Sequence, residues 1–143
     1  QIAETEKPLG NIVAHRDLIE EVTGKDSLAE IINAILTIES DEKFLQTAVK
    51  NVSKGCVTSF ALVQQQLLRA KDMSLSEVFQ MELIMSLNCA RYGNFQEGVR
   101  ALLVDKDRNP SYQPATLDKL SNEFVQQHFA APWGLAPNPL AAL

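Results

Sequence analysis

Apolar residues recur at helical spacing along nearly the whole chain. His15, Leu18, Ile19 and Val22 fall at i, i+3, i+4 and i+7, the stripe an amphipathic helix buries, and Gly24 is placed to end that helix in a left-handed conformation. Ser27 and Glu30 spell a capping box, which opens a second helix with the stripe Leu28, Ile31, Ile32, Ile35 and Leu36. Ser40, Asp41 and Glu42 are predicted to start a third, since negative charge suits the positive end of the helix dipole; Phe44, Leu45, Ala48, Val49 and Val52 are its buried face. A fourth follows Gly55, with Thr58, Phe60, Ala61, Leu67 and Leu68 as its stripe. A second capping box, Ser74 to Glu77, opens a helix carrying Leu75, Val78, Phe79, Met85 and Cys89, which Gly93 stops. Asn94 is the expected cap of the next helix, with Glu97 completing its box, and that helix runs to the stretch Asp105-Lys106-Asp107-Arg108-Asn109-Pro110.

Beyond Pro110 and Pro114 the positions Leu117, Leu120, Phe124 and Val125 suggest a last short helix to about Phe129. The tail from Ala130, with Pro132, Pro137 and Pro139, has no period and is expected to lie extended. Only Val99 to Val104 offers a weak strand alternative, so the chain is all-α. It divides into a helical lead-in, 1–55, a helical region, 56–131, and a Pro-rich tail, 132–143. No repeat of fixed period stands out, which sets aside a solenoid.

Composition narrows the function classes. A chain of 143 residues, 45% hydrophobic and 22% charged, can bury a core of its own. Its net charge of -5 argues against a nucleic-acid partner, because phosphate-backbone binding needs clustered Lys and Arg. No apolar run approaches the ~20 residues of a membrane span. Cys56 and Cys89 lack a CxxC spacing, and only His15 and His128 could join them, so no metal site is expected and both read as buried free thiols. Asn51-Val52-Ser53 matches a glycosylation sequon too short to carry weight. The chain begins at Gln1 and has no methionine before Met73, which suggests a piece of something longer.

Two motifs fail on geometry. Asp105, Asp107 and Asn109 keep the rhythm of a calcium loop, but the sixth position needs Gly and holds Pro110, and the twelfth needs Glu and holds Thr116. His15-Arg16-Asp17-Leu18 opens like a kinase catalytic loop, yet Val22 stands where that loop requires Asn. Cys56, Thr58 and Ser59 cluster at a helix start without the elbow or partners of a nucleophile, and capping is the simpler role. Glu82 falls between Val78 and Met85 on an apolar face, where a carboxylate must be paired, protonated or facing a cavity. It reads as a hydrogen-bond partner for a neighbouring helix rather than a general acid or base, since no second catalytic group shares its spacing. Lys106 and Arg108 either answer the dipole at a helix end or reach a ligand phosphate.

The run Phe95-Gln96-Glu97-Gly98-Val99-Arg100-Ala101-Leu102-Leu103-Val104-Asp105-Lys106-Asp107-Arg108-Asn109-Pro110, with Tyr112-Gln113-Pro114-Ala115 after it, resembles the C-terminal signature of 3-hydroxyisobutyryl-CoA hydrolases. These are a branch of the enoyl-CoA hydratase/isomerase (crotonase) superfamily. Thr58-Ser59 and the segment Leu75 to Cys89 are similar to the branch's upstream helices, and the likeness runs over about residues 12–130, densest at 73–114. Val57 stands where the family usually has proline.

The resemblance implies a parent enzyme that hydrolyses a CoA thioester in valine breakdown, using a backbone oxyanion hole and an acidic residue. It places both in an N-terminal β-α spiral core that the sequence does not contain, so this chain is expected to hold no catalytic residue, to need no cofactor and to be inactive alone. The family's phosphate-contacting lysine matches Lys106, and its glutamate at the preceding helix start matches Glu97, which capping explains. Implied partners are the CoA substrate, the N-terminal core and a second copy in a homo-oligomer; implied compartments are the bacterial cytoplasm or the mitochondrial matrix of a eukaryote. Two other readings compete: hydratase or isomerase activity within the superfamily, and a non-catalytic helical interaction module.

Overall fold

The computed structural model describes residues 9–134 and 136–142. Among them the regular structure is all helical, with no strand, and its contacts divide the chain into two compact units, Gln1–Lys54 and Gly55–Leu143.

In the first unit α1 (Asn11–Ala14), α2 (Arg16–Thr23), α3 (Leu28–Leu36) and α4 (Lys43–Lys54) pack in sequence, α2 on α3 and α3 on α4. Val22 and Leu45 are buried at its centre. Ser27 and Glu30 form the expected capping box, the serine hydroxyl accepting from the Glu30 amide and the glutamate accepting from the Ser27 amide at 2.9 Å. His15 stands between the short α1, which the stripe did not announce, and α2, the first predicted helix; its ring stacks on Phe44 and its Nε2 meets Glu42 at 3.1 Å. Gly24 ends α2 with φ -81°, not in the left-handed conformation expected of it. Its role is close approach: a Cβ there would lie 2.8 Å from the Glu20 carbonyl that accepts the Gly24 amide. Asp41 and Glu42 precede α4 rather than entering its first turn, and the Ser40 hydroxyl accepts from the Glu42 amide.

The second unit consists of α5 (Val57–Ala70), α6 (Leu75–Arg91), α7 (Asn94–Val99) continued by a π-helical turn over Arg100–Val104, a 3-10 turn at Leu117–Lys119, and α8 (Asn122–Gln127). The strand alternative at 99–104 is therefore replaced by a wide helical turn, closed by the Asp105 amide on the Arg100 carbonyl. Cys56, Ala61, Leu62, Met81, Ala101 and Val125 form the buried core. The predicted α5 stripe is wrong at its C-terminal end: Leu67 and Leu68 are exposed, and Leu62 is inside. Leu75 and Phe79 on α6 are likewise exposed, and Met81 is buried. The capping box of Ser74 and Glu77 forms as expected, and its hydroxyl and amide hold the Glu77 carboxyl below the usual range.

Asn88 carries a network no pattern announced. The residue is 2% exposed, and the two hydrogens of its Nδ2 are shared among the carbonyls of Gln127, His128 and Ala130, closing the C-terminal end of α8. His128, also buried, packs against Tyr92 and Phe124 and places Nδ1 2.8 Å from the Phe124 carbonyl.

Candidate functional site

The family-like stretch folds as a helix with a return segment laced against it. Asn94, Glu97 and Arg100 recur every three residues on one side of α7 and its π turn, and each binds the chain that comes back after Val104. Asn94 exchanges two hydrogen bonds with the Gln113 backbone, at 2.7 and 2.8 Å. Glu97 accepts from the Ser111 amide at 2.6 Å. Arg100 donates to the Asn109 carbonyl and pairs with Asp105 at 2.6 Å and Asp107 at 2.7 Å. Beneath this lacing Ala101 is fully buried, which leaves no room for a larger residue without backbone movement.

These contacts correct three expectations. Asn94 is not a cap, because Gly93, at φ 93°, takes that position and ends α6. Glu97 does not close a capping box; it grips Arg100 in a two-point fork, Nε and Nη2 each at 2.8 Å. Thr58 and Ser59 do not cap α5, whose N-cap Cys56 makes no side-chain bond; buried Thr58 instead accepts from Asn94 Nδ2. The Glu82 expectation holds: its carboxylate accepts from Gln66 Nε2 of α5 at 2.7 Å.

Arg100 is the hub of the loop. It touches Glu97, Asp105, Asp107 and the Asn109 carbonyl, so the two aspartates that mimic a calcium loop are spent on a guanidinium. The fork from Arg100, with the Ser111 amide, holds the Glu97 carboxyl down to about 2. Arg100 and the Asn109 amide hold Asp107 below its ordinary value, and the three carboxylates push the Arg100 guanidinium up. Lys106 and Arg108 alternate with the aspartates, at φ 58° and 55°. A side chain in that left-handed region costs about 1–2 kcal/mol relative to glycine, so the lacing must hold both residues there. Neither cation makes an ion pair or side-chain hydrogen bond among the described residues, and Lys106 is exposed.

Beside this loop lies an open apolar cleft of about 430 Å³ within the second unit, walled by Leu62, Cys89, Phe95, Val99, Leu102 and Leu103. Phe95, Leu102, Leu103 and Val104 are exposed, Leu103 at 68%, an apolar strip two turns long. Cys56 and Cys89 are free thiols on the same cleft; burial first, and then Cys56, pushes the Cys89 thiol up and away from the reactive thiolate. No group of three His, Cys, Asp or Glu side chains could hold a metal among the described residues. No described helix is long and apolar enough to cross a membrane.

The sequence model of the enoyl-CoA hydratase/isomerase family matches residues 1–129. The mitochondrial 3-hydroxyisobutyryl-CoA hydrolase of Gallus gallus is 36% identical over 115 residues, covering 80% of this chain and 29% of that protein. Its Homo sapiens counterpart is 33% identical over the same shares, and that of Danio rerio 32% identical over 128 residues, 90% of this chain and 33% of that protein. The chain thus spans about a third of the length of these relatives. With the match running through both helical units, the chain belongs to the enoyl-CoA hydratase/isomerase family, and within it is similar over most of its length to 3-hydroxyisobutyryl-CoA hydrolases.

Proposed function

We propose that this chain is the C-terminal helical part of a 3-hydroxyisobutyryl-CoA hydrolase, seated on a catalytic core and completing its CoA pocket. The observation that carries the reading is the alignment: most of this chain matches about a third of each hydrolase. The exposed strip Phe95, Leu102, Leu103 and Val104 supports it, because a contiguous apolar surface of this kind marks a place where another element docks. The covering element is the core of the same protein. In a eukaryote the enzyme works in the mitochondrion, as the names of its relatives suggest.

Lys106 is the CoA-binding residue of this reading. It is an exposed ammonium, unpaired among the described residues, in a backbone conformation that the surrounding ion pairs fix, which suits a point-charge contact to a phosphate. The hydrolytic chemistry belongs to the core, so the 143 residues alone should not hydrolyse 3-hydroxyisobutyryl-CoA, and the full-length protein should. Turnover by the isolated chain defeats the proposal. In the full-length enzyme, Lys106→Ala should raise KM for the CoA substrate and nearly keep kcat, the signature of lost uniform binding. The family description itself favours a second reading, hydration or isomerisation of an enoyl-CoA. Hydration of crotonyl-CoA without thioester hydrolysis would select it.

A further inference from the structure

We infer that Arg100 is a positioning residue for phosphate recognition, and that Arg108 joins Lys106 as a second phosphate-binding cation. The inference rests on the CoA reading of Lys106 above. Within 97–108 there are three carboxylates, Glu97, Asp105 and Asp107, and three cations, Arg100, Lys106 and Arg108. In a free chain Lys106 would sit between two aspartates that cancel its charge, and an anion would gain little from it. Here all three carboxylates converge on Arg100, at 2.6 to 2.8 Å. The five-donor guanidinium can hold three carboxylates and a carbonyl at once, which a lysine cannot. Among the described residues Lys106 and Arg108 are left without ion pairs, at φ 58° and 55°, separated by an Asp107 whose carboxylate is bound elsewhere. The result is two available cations on a short loop whose acidic neighbours are each turned onto Arg100.

Removing Arg100 reverses both effects. The six side chains pass from no net charge to a net charge of minus one, and Asp105 and Asp107 become free to pair with Lys106 and Arg108. Phosphate binding should then fail although neither phosphate-binding residue has changed.

The test uses the full-length enzyme and two thioesters of the same acyl group, one of CoA and one of N-acetylcysteamine, which carries no phosphate. Arg100→Gln should raise KM for the CoA thioester about tenfold, the size of one charge-assisted contact, at nearly constant kcat. The loss should be confined to the phosphate-bearing substrate. Added to Lys106→Ala/Arg108→Ala, Arg100→Gln should make little further difference, because Arg100 acts through the two loop cations. Arg108→Ala should raise the same KM, by less if the two cations share one phosphate. Arg100→Lys, which keeps a charge without the fork, should lose nearly as much and serves if the glutamine variant folds poorly. An Arg100→Gln enzyme with unchanged KM for the CoA thioester, beside a Lys106→Ala enzyme with a raised one, overturns the inference and leaves Lys106 standing. Equal losses on both thioesters reduce Arg100 to a folding role and also overturn it. Lys106→Ala without effect removes the underlying reading itself.

Discussion

At the scale of single residues, two side chains hold the second unit's least regular parts. Asn88 satisfies three carbonyls at the end of α8 from a fully enclosed position. Replacing it with Ala strands those acceptors and should cost about 2 kcal/mol of unfolding free energy, measured in urea. Asn88→Asp should cost more, because it aims a fourth acceptor at the other three; an aspartate variant as stable as the alanine one would contradict this account. Glu97 makes the loop acid-sensitive. Its folded value of about 2 lies below the ordinary 4.5, so its ion pair stabilises the loop above 4.5 and is lost as pH falls from there toward 2. Asp107 shifts in the same direction. Unfolding midpoints should therefore fall with pH across that window, and Glu97→Gln should flatten the dependence. A partly exposed network screened by water keeps the effect modest.

At the scale of elements, termini decide more than stripes do. Both capping boxes were legible because Ser and Glu three residues apart act on their own backbone, and both formed. The same reasoning failed at Asn94 and Glu97, where the side chains found partners 19 and 14 residues away and abandoned the local cap. Their spacing with Arg100, three residues each, was visible in the sequence; what they would meet was not. Val57, where the family usually has proline, is the first residue of α5, a position whose amide has no helical acceptor and whose φ proline already prefers. Val57→Pro should therefore stabilise the chain by about 0.5 kcal/mol in chemical denaturation, by restricting the unfolded state. A loss of stability would show that the Val57 side chain matters more than its backbone.

At the scale of the molecule, the apolar strip along α7 and its π turn sets a prediction for assembly. Leu103→Glu places a charge where the proposed core contact needs an apolar residue whose burial contributes about 2 kcal/mol. Separately produced core and C-terminal parts should then fail to combine into active enzyme, with the helical signal of the isolated chain unchanged. Full complementation by the variant would remove this strip from the interface.

The helical class, the places where α2, α3, α5 and α6 begin or end, and the family were legible along the chain, because these follow from backbone propensity, capping chemistry and a signature read in order. The sequence did not determine which face of α5 and α6 lies inside: Leu62 and Met81 are buried while Leu67, Leu68 and Phe79 are exposed. Burial depends on what each helix packs against, and apolar residues on two faces of one helix look alike to a periodicity argument. Nor could it show that Asp105 and Asp107 serve Arg100. Only the fold brings the return segment against α7, and a guanidinium finds its carboxylates by proximity in space.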